Sequence, residues 1–128
     1  MKFLLALVAL PAAILAAPVA DAATANPPGF LMDSLKCTCQ NPATNATKSD
    51  SLCANVLGEP ETESSSKGSW CYRRFNLTPQ MDQLFTDEAC TRFFQGNFSK
   101  AVCAPVKLCD KDQGPDRHGI QYYKVCGR

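Results

Sequence analysis

Apolar residues along this chain change their spacing, and the spacing sorts the chain into segments. Residues 3–10 form an unbroken apolar run, and small residues dominate from Ala12 to Ala23. Beyond that point large apolar side chains come in short groups divided by polar turns. Two groups have helical spacing: Leu52, Cys53, Val56 and Leu57, then Ala89, Cys90, Phe93 and Phe94. Side chains at i, i+1, i+4 and i+5 share one helical face. Each group follows a hydroxyl residue suited to cap a helix, Ser49 or Thr86, and an aspartate suited to its positive end. Each stops at a glycine, Gly58 or Gly96. The pattern predicts two short helices, each with a cysteine on its buried face. Thr78-Pro79-Gln80-Met81 reads as a capped helical start leading one more turn through Leu84 and Phe85.

Other segments read as strands. Residues 70–75 are rich in aromatics. Residues 97–102 and 106–109 form two short strands broken apart by Pro105. Residues 120–126 alternate cleanly, with Ile120, Tyr122, Lys124 and Cys126 on one face and Gln121, Tyr123 and Val125 on the other. Residues 110–119 carry Gly114-Pro115 and read as a turn. Residues 59–69 contain no apolar residue and read as a flexible, solvated loop. The expected fold class is α+β: a small disulfide-rich domain with two or three short helices packed on a short antiparallel sheet of three or four strands.

The opening of the chain has a basic residue, Lys2, then the apolar run, then small residues. That three-part layout reads as a secretory signal peptide over residues 1–22, with cleavage expected within 16–23: Ala20-Asp21-Ala22 fits the small-x-small rule and Ala16 is the alternative. Pro11 and Pro18 interrupt the run and no basic stop-transfer cluster follows, so no membrane span is expected. Residues 23–36 read as an N-terminal extended segment and residues 37–128 as the cross-linked domain.

Export to an oxidising compartment pairs thiols. The chain has eight cysteines: Cys37, Cys39, Cys53, Cys71, Cys90, Cys103, Cys109 and Cys126. Eight allow four bridges in any of 105 connectivities, and the sequence does not choose among them. Cys37 and Cys39 are read as pointing in different directions along an extended segment, and so as having different partners. Each bridge adds roughly 2–4 kcal/mol, which a domain of this size needs.

Charge narrows the partners. Lys plus Arg is 13 and Asp plus Glu is 12, a net charge of +1. Nucleic acid is therefore not an expected partner. The one histidine, His118, lies in a polar turn with no second histidine to share acid–base work. Glu59, Glu61 and Glu63 fall in the expected loop, a poor place to hold paired carboxylates. No nucleophile elbow, phosphate loop or calcium loop occurs, and Cys37-x-Cys39 and Cys103-x5-Cys109 lack zinc spacing. The expectation is a non-enzymatic protein with no cofactor and no metal.

Three Asn-x-Ser/Thr sequons open at Asn45, Asn76 and Asn97 and are candidate glycosylation sites. Arg73-Arg74 reads as a basic pair on a strand beside a cysteine, or as a dibasic or anion-facing patch. Candidate contact residues for a protein partner are Tyr72, Arg73, Arg74, Tyr122 and Tyr123.

The order of parts is a signal peptide, Cys37-x-Cys39, a Ser49-x3-Cys53 helix, a central Cys71, and an aromatic–helix–cysteine segment from Phe85 to Cys90. Over residues 37–94 this layout resembles the small secreted cysteine-rich proteins of filamentous fungi, many of them candidate effectors. The resemblance implies a virulence protein that acts by binding host proteins and suppresses host immunity. It would work as a monomer in the host apoplast or after uptake into host cells. The alternatives are a secreted antimicrobial or toxin-like protein, and a proteinase inhibitor presenting the stretch between Cys103 and Cys109.

Overall fold

The computed structural model describes residues 26–62 and 69–127. The signal-peptide reading and residues 63–68 of the expected loop, Glu63 among them, lie outside the described residues. The elements in chain order are β1 (Phe30–Gln40), β2 (Thr47–Lys48), α1 (Asp50–Asn55), β3 (Glu59–Thr62), β4 (Ser69–Tyr72), α2 (Met81–Leu84), α3 (Asp87–Phe94), β5 (Lys100–Asp110) and β6 (Tyr123–Gly127). The strands build one curled antiparallel sheet in the order β3-β4-β1-β5-β6, with β2 hairpinned onto β1. The fold is mostly sheet with few helices. Among the described residues six strands replace the three or four expected, because several polar or interrupted segments also pair.

Two 11-residue strands, β1 and β5, form the middle of the sheet. Residues 30–36, expected as an extended segment outside the cross-linked domain, are the first half of β1. Pro105 does not break β5; it sits in register opposite Leu35. Pairing with β6 begins only at Lys107, so one side of β5 is open at Pro105, where a residue without an N–H can be held. Glu59–Thr62, expected in a solvated loop, pairs along its whole length with β4.

The sheet has two faces with different chemistry. Leu35, Cys37, Cys39, Cys71, Ala101 and Cys103 point to one face, where Leu52, Cys53, Met81, Phe85 and Cys90 from the helical segments cover them. Tyr72, Val106, Leu108 and Tyr123 form a second cluster on the other face, flanked by Met32 and Val125. The period-2 alternation of β1 and β5 separates the two sets.

All eight cysteines are paired: Cys37–Cys103, Cys39–Cys90, Cys53–Cys71 and Cys109–Cys126. Residues two apart in a strand share a face, so Cys37 and Cys39 both point to the helical side, against the opposed directions expected. Their partners still differ. Cys37 lies opposite Cys103 in the β1–β5 register, whereas Cys39 reaches down to α3. Three of the four bridges lie largely in the helix-side core, and six of the cysteines there or nearby are fully buried: Cys37, Cys39, Cys53, Cys71, Cys90 and Cys109. In this core sulfur supplies much of the packed volume.

The N-terminal helix signals hold for α3, while the left-handed turn that ends it begins on Gln95 at φ 42°, one residue before the expected Gly96. Thr86 Oγ1 accepts from Ala89 N at 3.1 Å, and Asp87 Oδ1 accepts from Ala101 N at 2.8 Å, tying the helix to β5. At α1 the expected cap is used otherwise. Ser49 makes no side-chain cap; its buried hydroxyl donates to Ser69 Oγ at 3.0 Å. Gly58 does not carry the left-handed turn that ends α1, which falls on Leu57 at φ 55°.

Candidate functional site

A groove of about 550 Å³ runs between β3 and β6, the two ends of the curled sheet. Pro60 and Glu61 line one wall, Lys124, Val125 and Gly127 the other, and Tyr72 the base. Among the described residues β3 pairs with β4 and β6 with β5, and the start of β6's other edge is taken by the segment after β4, where Phe75 bridges Tyr122 and Tyr123 N donates to Arg74 O at 2.9 Å. Beyond those contacts, β3 and the Lys124–Gly127 part of β6 turn edges without a strand partner among the described residues toward the groove, the feature through which sheets accept a further strand.

Charges beside the groove are tied in place by the fold. Lys36 Nζ reaches from β1 across β4 to Glu61 Oε2 at 3.0 Å, and also lies 5.2 Å from the Trp70 ring centroid. Both side chains are largely buried, 7% and 13% exposed. Arg74 Nε meets Glu59 Oε2 at 3.3 Å. Burial, then the negative charges of Glu59 and Glu61, push the Tyr72 hydroxyl up to about 12, with Arg74 opposing. The base of the groove thus holds a neutral phenol, and Lys124 is an exposed cation on its rim.

The five residues read from sequence as partner contacts divide. Tyr72 and Tyr123 are members of the second core cluster, 8% and 5% exposed, and their rings are packed inside. Arg73 is a structural clamp: Nε donates to Thr78 O at 2.6 Å and Nη2 to Asn76 O at 2.5 Å, holding the turn after β4. Arg74 is exposed, and Tyr122 is half-buried with its ring edge-on to Phe75 at 5.7 Å. Corrected in this way, the set leaves Arg74 and part of Tyr122 accessible. The reason is sheet geometry: an aromatic strand with one covered face buries every second ring. The stretch between Cys103 and Cys109 lies inside β5 and is paired with β1, so it is not the protruding loop that an inhibitor would present.

His118 is exposed, and its Nε2 accepts from Arg117 Nε at 3.1 Å. Asp116 Oδ1 accepts from the His118 and Ile120 amides at 2.7 and 3.0 Å, which closes the turn on itself. The three sequon asparagines differ. Asn45 is exposed in the turn between β1 and β2 at φ 59°. Asn76 is half-buried; its Nδ2 donates to Gly119 O at 3.0 Å and its Oδ1 accepts from Gln121 N at 3.2 Å. Asn97 is exposed after α3.

Sequence reasoning missed the groove because it is made by the two ends of the sheet path, which are far apart in sequence. Lys124 was the one available signal, since alternation in residues 120–126 sets it opposite Tyr123. No helix among the described residues is long and apolar enough to cross a membrane. Comparison with known proteins gives no matching family model, no similar curated protein and no similar solved structure.

Proposed function

We propose that this chain is exported and acts as a non-enzymatic effector, binding host proteins and suppressing host immunity. The observation that carries the reading is the groove between the edge of β3 and the part of β6 beyond Tyr123. An extended segment of a partner would add to one edge by main-chain hydrogen bonds, with Lys124 and Val125 reading its side chains. Four disulfides hold both edges in place before contact, which lowers the ordering cost of binding. The cysteine layout of residues 37–94, similar to that of fungal secreted cysteine-rich proteins, supports the same role.

The test infiltrates purified, oxidised protein into leaf tissue and measures the elicitor-triggered oxidative burst. The burst falls with the native protein. It recovers with the reduced and alkylated protein, and in part with Lys124→Glu, an exposed rim position. A full burst in the presence of the folded protein overturns the reading. Growth inhibition of microbes by the same preparation would favour the antimicrobial alternative instead.

A further inference from the structure

A second cavity, of about 400 Å³, lies at the C-terminal end of α3. Phe93, Phe94 and Phe98 form its apolar wall, and Lys48, Ser51 and Gln95 its polar one. Phe94 and Phe98 meet edge-on at 6.2 Å, and Lys48 Nζ stands 5.6 Å from the Phe94 ring centroid. Each of the three phenylalanines packs in part against the helix-side core and is half-buried, so part of each ring remains open. Asn97 lies on the lining of this cavity, is exposed, and opens the sequon Asn97-Phe98-Ser99.

We infer that Asn97 is a glycosylation site whose first N-acetylglucosamine occupies this cavity. The inference rests on the export reading, because the modification belongs to the secretory route. In the transfer, Asn97 Nδ2 bonds to the anomeric carbon of a lipid-diphosphate-linked oligosaccharide. The carbon–oxygen bond to the diphosphate breaks, the lipid diphosphate leaves, and the amide gives up one proton. A pyranose ring has an apolar C–H face and a polar rim. Phenylalanine rings on one wall and Lys48, Ser51 and Gln95 on the other match those two sides. The covalent link removes the cost of bringing the sugar to the cavity, so weak contacts suffice to seat it.

The other sequons lack this combination. Asn45 is exposed in a turn, outside this aromatic cavity. At Asn76 the nitrogen that would carry the sugar already donates to Gly119 O, and Thr78, the third sequon residue, is buried.

The experiment secretes the full chain from a eukaryotic host and maps occupied asparagines by glycosidase treatment in heavy-oxygen water and peptide mass spectrometry. Endoglycosidase release is then timed on folded protein. Asn97 is occupied, and its glycan leaves roughly twofold to tenfold more slowly than in Phe98→Ala, the ratio one aromatic contact produces. The difference vanishes when both proteins are reduced and denatured. Secreted protein bare at Asn97, or equal release rates from folded wild type and variant, overturns this inference alone. Chain retained in the cell with every sequon bare overturns the export reading and the inference with it.

Discussion

Gly58→Ala tests how tightly the sulfur core is packed. Gly58 follows the turn that ends α1, and its φ lies outside the left-handed region, so the backbone itself admits alanine. Space does not. A Cβ at residue 58 would clash with Cys71 Sγ, lie 3.0 Å from Cys53 Sγ and 3.3 Å from Tyr72 O. Both sulfurs belong to one bridge and the oxygen to β4, so no flexible side chain can swing away. Relief requires α1 and β4 to move apart, and overpacking of this kind costs about 1–3 kcal/mol. The loss of unfolded-state freedom on changing glycine to alanine returns about 0.4–1 kcal/mol. The net is a destabilisation of about 1–2 kcal/mol. At about 4–8 °C per kcal/mol in a domain of this size, thermal melting of the oxidised protein falls by roughly 5–15 °C. The decisive comparison repeats Gly58→Ala in a Cys53→Ala/Cys71→Ala background, where both clashing sulfurs are gone. There the penalty shrinks to near zero. An unchanged melting temperature in the first background, or an equal fall in both, would refute the reasoning.

Other expected outcomes follow from the opposite face. Tyr72 is favoured as a neutral phenol in the folded state, up to about 12. Below the ordinary tyrosine value both states keep the proton and stability is full; from about pH 10 upward the unfolded chain ionises first, and stability falls by about 2–3 kcal/mol by pH 12. Urea denaturation between those limits should show this slope in wild type and a reduced one in Tyr72→Phe, with phenolate absorbance giving the titration directly. Glu61→Ala takes one carboxylate contact from the Lys36 ammonium, which is 5% exposed, and should cost about 1.5–3 kcal/mol by chemical denaturation, the range of a hydrogen bond to a charged group.

The parts of the fold that were legible in the sequence are those set by near neighbours. Thr86, Asp87 and the spacing of Cys90 specify α3 locally, and the alternation of residues 120–126 places Tyr123 inside and Lys124 outside. Ser49 carried the same local signal as Thr86, yet its hydroxyl is claimed by Ser69, twenty residues on. Gly58 looked like a helix stop and is instead a gap left for a disulfide. Glu59–Thr62 has no apolar alternation; it is a strand because β4 pairs with it and because Arg74 and Lys36 take up its carboxylates. Pro105 reads locally as a break and is tolerated only because β6 ends short of it. As for the candidate site, aromatic richness pointed to Tyr72 and Tyr123 as contact residues, while the sheet's curl, invisible in any short window, buried them and made the groove beside them.

The placement of β1 at the centre of the sheet bears on how the chain is made. Its long partner, β5, is synthesised well after it, and Cys37 waits for Cys103 across a separation of 66 residues. At ordinary translation rates that interval is roughly 3–13 s. During it Cys39, Cys53, Cys71 and Cys90 emerge in turn as competing mates, whereas Cys53–Cys71, separated by 18, can close early. In an oxidising compartment mispairing therefore competes with the native bridges until Cys103 is made, and thiol exchange is the route by which Cys37 is returned to it.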